Sequence, residues 1–407
     1  MMLAAAALMS SKSGLPIWSA GSTTSKPAPR PVWPGLPESL APESLGAELA
    51  RSDPAAFGRA LDAAVIAAAG DYADGIAAYR HHSYARGDEA ARPVWSRGST
   101  VLLDHGRSSG PFGAVPGAPV IFVPSLINRG WILDLIPGHG MLSWLAGQNI
   151  RPFRIEWGPP GRAERRFDIA GYIADRLEPA LDEVARITGE PPVLAGYCMG
   201  GLLALAAAVR RPHAIRALAL LATPWDFHAA DRPRAEALAG FHRVSGPILR
   251  HLGEMPVEMI QALFAMTDPI VALRKFRRFA GMDPDSAEAR AFVALEDWLN
   301  DGVALTLPVA DDALLGWYGA NTTGRGVWRV GGVQIDPAAI TAPALIAMPG
   351  ADRIVPPASA APLTTAIGQA RRLDVPLGHI GMIVGRAAEA GLWRPLADWI
   401  AALDRRT

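Results

Sequence analysis

The single cysteine of this 407-residue chain lies in Gly196-Tyr197-Cys198-Met199-Gly200-Gly201, a pattern of glycines around a central nucleophile whose meaning depends on where it sits. It follows the apolar run Pro192-Val193-Leu194-Ala195 and precedes a small-residue stretch from Met199 to about Arg210, so the spacing predicts a strand, a sharp turn and a helix. In such a turn the central residue is held in a strained backbone conformation. The glycines two before and two after it carry no Cβ to clash as strand and helix crowd together. The thiol is thereby presented above a sheet. The backbone N–H of Met199 falls at a helix N-terminus, where an unpaired donor and the helix dipole stabilise an oxyanion or a thiolate. A lone cysteine is more often a small buried hydrophobe, but this context makes Cys198 the candidate nucleophile. Cysteine in place of serine suits acyl transfer from a thioester, because one thioester is exchanged for another at little free-energy cost. An acyl-CoA fits that chemistry.

A nucleophile of this kind needs a base and an acid that follow it in the chain, in the order nucleophile, acid, histidine. Of nine histidines, only His379, in Val375-Pro376-Leu377-Gly378-His379-Ile380-Gly381, fits a loop after the last strand. Asp352, in Met348-Pro349-Gly350-Ala351-Asp352-Arg353-Ile354-Val355, falls just beyond the preceding strand. It competes with two blander readings, a helix cap or an ion pair with Arg353. The competing carboxylate is Asp301 in Trp298-Leu299-Asn300-Asp301-Gly302. A second oxyanion donor is expected from Pro124-Ser125-Leu126-Ile127-Asn128-Arg129, with the backbone N–H of Leu126 favoured and Ile127 next.

These residues require a particular set of elements. Short apolar runs alternating with helical spacing predict parallel strands joined by crossover helices: Pro119–Val123, Pro152–Trp157, Pro192–Ala195, Ile215–Leu221 and Ala344–Met348 as strands, with helices over 168–188, 199–210 and 359–369. The fold class is α/β, a mostly parallel doubly wound sheet. Residues 1–40, rich in Ser, Thr, Pro and Gly, form a mobile tail, and 41–95 a helical N-terminal segment. The core spans 96–223 and 337–407, and 224–336, where the alternation lapses, is a helical cap inserted between two strands. Trp225 and Trp298 are candidates to line a channel under that cap, against the plainer reading of core tryptophans. The basic run Arg274-Lys275-Phe276-Arg277-Arg278 is a candidate for CoA phosphates, against that of a solvated helix face.

Composition excludes several classes. Lys+Arg and Asp+Glu are 39 each and the net charge is zero, so nothing draws the chain to nucleic acid. One cysteine allows no internal disulfide and no cysteine-based metal cluster, no H-E-x-x-H spacing occurs, and the chemistry needs no metal or cofactor. The apolar start Met1–Met9 has no preceding positive charge and falls far short of the ~20 residues that span a bilayer. A cytoplasmic location without a membrane span is expected.

Together the motifs resemble the polyhydroxyalkanoate synthases, acyltransferases of the α/β-hydrolase fold that polymerise 3-hydroxyacyl-CoA. The resemblance covers about residues 95–400 through Val123–Arg129, Trp131-Ile132-Leu133-Asp134-Leu135, the Cys198 turn, the segment around Trp298, Asn300 and Asp301, Asp352–Pro356 and Gly378-His379-Ile380. The spacing of Cys198, Asp352 and His379 is similar to that of the shorter, two-component synthases. The resemblance implies that Cys198 carries the growing polyester and His379 activates it, while Asp352 assists His379 or the incoming hydroxyl. It also implies that Trp298, Asn300 and Asp301 contact substrate, that the partner is a second copy or a second synthase subunit, and that the protein works at the polymer granule surface. The chain departs from the family in carrying Pro124-Ser125 where Pro-Pro is usual, and in its first 95 residues. A hydrolase (esterase, thioesterase or depolymerase) would use the same triad. An idle interaction protein would have lost one of its members.

Overall fold

The computed structural model describes residues 51–89, 91–106, 117–266, 268 and 270–404. The tail expected over 1–40, and the start of the 41–95 segment, lie outside the described residues. The principal elements run α1 (Pro54–His81), β1 (Arg92–Arg97), β2 (Thr100–Asp104), β3 (Ala118–Val123), α2 (Met141–Ala146), β4 (Ile150–Glu156), α3 (169–188, with the π-helical turn Ile173–Leu177), β5 (Val193–Tyr197), α4 (Met199–Arg210) and β6 (Ala217–Leu221). They continue with α5 (Arg232–Leu252), α6 (Val257–Ala265), α7 (Val271–Ala280), α8 (Ala287–Asn300), α9 (307–319, ending in the π-helical Asp312–Gly319), β7 (Ala344–Pro349), α10 (Pro357–Ala366), β8 (Ala370–Val375) and α11 (Arg394–Asp404).

The described residues of these elements form two compact units, one within 51–83 and 268–290, the other within 84–266 and 291–404. In the larger unit the eight strands lie in the order β1-β2-β4-β3-β5-β6-β7-β8. All neighbours from β4 to β8 are parallel, and β1 and β2 add an antiparallel edge. The central parallel strands β3, β5, β6 and β7 are apolar on both faces because helices cover both. Side chains alternate accordingly: Ile121, Val123, Leu194, Leu218 and Leu220 pack on one face, Val120, Phe122, Val193, Ala195, Ala219 and Leu221 on the other. The strand order reverses at β3, whose neighbours are β4 on one side and β5 on the other. A crevice opens beyond the carboxyl ends of the strands at such a reversal. Val123, the last residue of β3, pairs with Gly196, so the chain after β3 and the Cys198 turn leave the sheet side by side.

Two boundaries differ from the sequence reading. Strand β1 begins at Arg92, inside the segment expected to be helical; it is a half-exposed edge strand without an apolar run, so periodicity gave no sign of it. The 224–336 insertion is not one cap, since its middle, 268–290, belongs with α1 in the smaller unit.

Within that smaller unit, Asp53 caps α1 by accepting from the backbone N–H groups of Ala55 and Ala56 at 3.0 and 3.2 Å, ahead of a proline at the first helical position. Helix α1 packs on α7, with Phe276 edge-on to Tyr72 and Tyr79. The contact is closest at Gly75, where a Cβ would lie 2.0 Å from the Phe276 carbonyl oxygen. Gly75→Val is therefore expected to pry the two helices apart at a cost of about 1–3 kcal/mol, read as faster hydrogen exchange along α1. In the basic run, Arg274 pairs with Asp268 and Arg277 Nη2 lies 3.1 Å from Asp71 Oδ2, as on an ordinary solvated helix face. No helix among the described residues is long and apolar enough to cross a membrane.

Candidate active site

Cys198 terminates β5 and precedes α4 with φ 55° and ψ −127°, a conformation that costs a non-glycine residue of order 1–3 kcal/mol and persists only where its surroundings enforce it. Three glycines enforce it. A Cβ on Gly196 would lie 2.4 Å from the Gly201 Cα, one on Gly200 2.1 Å from the Val123 carbonyl oxygen, and one on Gly201 1.8 Å from Thr223 Oγ1. The Cys198 amide, meanwhile, donates to the Leu221 carbonyl at 2.9 Å, tying the turn to β6.

His379 and Asp352 arrive from the ends of β8 and β7, which pair in register up to Pro349 and Val375. The loops beyond them remain joined, since Gly350 donates to Val375 at 2.8 Å and Ala351 to Leu377 at 3.0 Å. His379 Nδ1 lies 2.6 Å from Asp352 Oδ2. The other carboxylate oxygen accepts from the amides of Ile354 and Val355, both at 2.8 Å. Asp352 therefore does not cap α10, whose N-cap is Pro356. Its charge is held by two backbone donors and the imidazole, which fixes the ring with Nε2 as the remaining nitrogen.

Burial alone would lower the pKa of His379. The Cys198 charge, the Asp352 hydrogen bond and a hydrogen bond with Cys198 outweigh it and raise the pKa to about 10, which favours the imidazolium form of His379. Cys198, His379 and Asp352 are thus brought together as expected from their order in the chain.

Tyr197 was not anticipated. Its ring lies 5.1 Å from that of His379 at 30°, and its hydroxyl donates to the His379 carbonyl at 3.2 Å. Burial, then the charges of Cys198 and Asp352, push its pKa well up, so the hydroxyl keeps its proton. Its place inside the Cys198 motif was visible, but not its reach to a loop far along the chain.

Above Cys198 is a cavity of about 200 Å³, several times the roughly 30 Å³ share of one water. Its wall is mainly apolar and includes Met199, Leu202, Leu238, Leu263, Trp317 and Tyr318. Of the expected oxyanion loop, Ser125 and Ile127 reach this wall, whereas the Leu126 side chain is packed in the core. Trp317 and Tyr318 belong to the π-helical end of α9, where the extra residue per turn breaks the 3.6-residue spacing on which sequence reading relies.

Trp298, Asn300, Asp301 and Trp225 are not on this wall. The Trp298 indole donates to the Arg129 carbonyl at 2.7 Å. Asp301 accepts from Arg129 Nε at 3.3 Å and Trp131 Nε1 at 3.1 Å, and Asn300 is exposed at the end of α8. With Val303 donating to Ile127 at 2.9 Å, these groups brace the loop after β3 from outside. Trp225 packs edge-on against Trp328. Because Asp301 is partly exposed and its pairs are screened, Asp301→Asn is expected to cost no more than about 1 kcal/mol and to keep turnover within about threefold, as steady-state assays and melts would report; loss of turnover would instead make it the essential acid.

Glu89, His105 and Asp134 place ligand-type atoms within 4.8 Å of one another. A cation is already there: Arg154 donates to Glu89 at 2.6 Å and to His105 Nε2 at 3.3 Å. Burial, then Arg154 and Arg86, lower the His105 pKa to about 3, so this ring is a neutral acceptor within an arginine network.

Sheet order, turn and triad define an α/β-hydrolase architecture, and residues 158–386 match the family model described as alpha/beta hydrolase fold. The chain belongs to that family. Among its curated relatives are two poly(3-hydroxyalkanoate) polymerase subunits PhaC. That of Haloferax mediterranei is 27% identical over 290 residues, 70% of this chain and 58% of that one. That of Haloarcula marismortui is 25% identical over 285 residues, 69% and 60%. The chain thus spans under two thirds of the length of either. Among solved structures, a monoacylglycerol lipase of Paleococcus ferrophilus is similar with a TM-score of 0.44 and 15% identity, over 71% of this chain and 97% of that one.

Proposed function

We propose that the protein is an acyltransferase that moves 3-hydroxyacyl groups from CoA thioesters to a growing polyester held on Cys198. The observation that carries this reading is a cysteine, rather than a serine, in a strained turn, beside an Asp352-backed histidine and beneath an apolar cavity. Sequence similarity to poly(3-hydroxyalkanoate) polymerase subunits supports it.

In the first step the Cys198 thiolate attacks the thioester carbonyl. The developing oxyanion accepts from the backbone N–H of Met199 and from that of Leu126 or Ile127 in the facing loop. The carbon–sulfur bond to CoA then breaks, and the departing sulfur takes the proton of His379. In the second step the hydroxyl of another hydroxyacyl-CoA attacks the acyl-Cys198 carbonyl, giving its proton to His379. An ester forms, the Cys198 thiolate is released, and the elongated CoA thioester re-acylates Cys198 by the first step. Atoms and protons balance without a metal or cofactor. The apolar wall disfavours water, which would otherwise hydrolyse the acyl-enzyme. Under the same reading the enzyme works in the cytoplasm at the polymer granule surface, as a homodimer or with a second synthase subunit.

The test is CoA release from 3-hydroxybutyryl-CoA by the wild type and Cys198→Ala, with the product sized. Release accompanied by polymer, and abolished in the variant, is the expected result. Release of free acid alone would make the protein a hydrolase, and release undiminished in the variant would remove Cys198 from the chemistry.

A further inference from the structure

Helix α5 is apolar on two sides. Its packed side, with Ala235, Ala239, His242, Gly246 and Leu249, is buried, and Leu238, on the shoulder beside it, lines the cavity above Cys198. The other side carries Phe241, Val244, Ile248 and Leu252, which are 37%, 83%, 62% and 53% exposed. Their spacing by threes and fours sets them in one stripe along the helix. Single apolar residues at a surface are ordinary, whereas a continuous run of them on one face marks an interaction surface.

The charge beside that stripe has one sign. At the start of the helix Asp231 serves as N-cap and Glu236 pairs with Arg232 at 2.8 Å, but from Ala237 to Gly253 there is no acidic residue. Arg243 and Arg250, seven residues apart, follow one flank of the stripe. Both are exposed, and neither has an ion pair among the described residues. These features select among occupants. A second copy of the chain, meeting this patch with the same patch, would bring no acidic residue of the helix to the arginines. A neutral polyester would cover the stripe and leave the arginines unmatched. An anionic lipid surface takes both: the apolar side chains enter the boundary between headgroups and acyl chains, and the guanidinium groups reach the phosphates on their long stems.

We propose that the outer face of α5 docks the protein on an anionic lipid surface, with Phe241, Val244, Ile248 and Leu252 entering the lipid and Arg243 and Arg250 pairing with its phosphates. The inference stands apart from the chemistry at Cys198. A net charge of zero does not oppose it, because the attraction acts within about 10 Å and depends on the charges of this face alone. Leu238, on the cavity wall, lies one turn before Phe241, so a single helix would join the docked surface to the space above Cys198.

The experiment sediments the full-length protein, at low ionic strength, with vesicles of phosphatidylcholine alone and with vesicles in which half the lipid is phosphatidylglycerol. Binding to the anionic vesicles is expected to be tighter by about tenfold or more, as two arginines at a negative surface would give, and to weaken as salt is added. Val244→Gln with Ile248→Gln should weaken binding to the anionic vesicles about tenfold at an unchanged melting temperature, since both side chains already face water. Arg243→Gln with Arg250→Gln should bring the anionic vesicles down to the level of the neutral ones. Ile66→Gln, at an exposed apolar residue of α1, should change nothing. No binding by the wild type, equal binding to the two kinds of vesicle, binding that survives either pair of substitutions, or an equal loss with Ile66→Gln overturns the proposal. So does a dimer that Val244→Gln with Ile248→Gln splits in sedimentation velocity, or capture by polyhydroxybutyrate particles in preference to anionic vesicles, since each gives the stripe a different occupant.

Discussion

Replacing His379 with glutamine is expected to slow CoA release from 3-hydroxybutyryl-CoA by about 10³-fold or more while leaving the protein folded. The ring acts on Cys198 and is oriented by the buried Asp352 carboxylate, and removal of a base so placed costs 10²–10⁴-fold or more. Asp352→Asn should approach the same loss, because an amide in contact with Nδ1 no longer favours the imidazolium. Stability gives an independent readout. The folded pKa of His379, about 10, lies above the unfolded value of about 6.5. Its contribution is therefore fully present below about pH 6.5 and is lost as pH rises toward 10. Melting temperatures measured at pH 6 and pH 9 should differ more for the wild type than for His379→Gln. Identical pH dependence in the two proteins would show that this imidazole carries no such charge.

Gly200→Ala is expected to destabilise the larger unit by about 3 kcal/mol or more and to abolish turnover with it. The added carbon would lie 2.1 Å from the Val123 carbonyl oxygen and 2.6 Å from that of Pro124, both backbone atoms that cannot swing aside as a side chain would. Relief requires α4 to withdraw from the loop after β3, which separates the Met199 amide from the second oxyanion donor. Urea melts and CoA release on the same preparation would test this; a loss below 1 kcal/mol with activity retained would mean that strand and loop yield more easily than their packing indicates.

The parts of the structure legible in the sequence were those under strong local constraint. A strand buried on both faces must be a short apolar run, as Val120–Val123 and Leu218–Leu221 are, and a turn as tight as that at Cys198 needs glycine at fixed offsets. The order of Cys198, Asp352 and His379 follows from the order of the strands that present them. What escaped was set by long-range packing. Edge strand β1, a proline, a serine and two arginines around a half-buried Val-Trp pair, carries no periodic signal. The division of the insertion depends on Gly75 meeting Phe276, a contact no local pattern encodes. Trp298 and Asp301 have the residue types of a binding site, yet their polar atoms are spent on Arg129 and Trp131. Trp317 and Tyr318, which do line the cavity, are phased by a π-helical turn that departs from the repeat used to read helices.

Because the end of β3 and the start of the Cys198 turn are joined through one parallel pairing, Val123 with Gly196, neither half of the reactive centre has its shape before that pair closes. Parallel pairing between segments so distant in sequence is slow, since loop entropy is lost before the contact compensates for it. Helical content can thus return early in refolding while the Cys198 turn is still unformed. Recovery of the native rate of alkylation at Cys198 would clock the closing of the sheet rather than the formation of its helices.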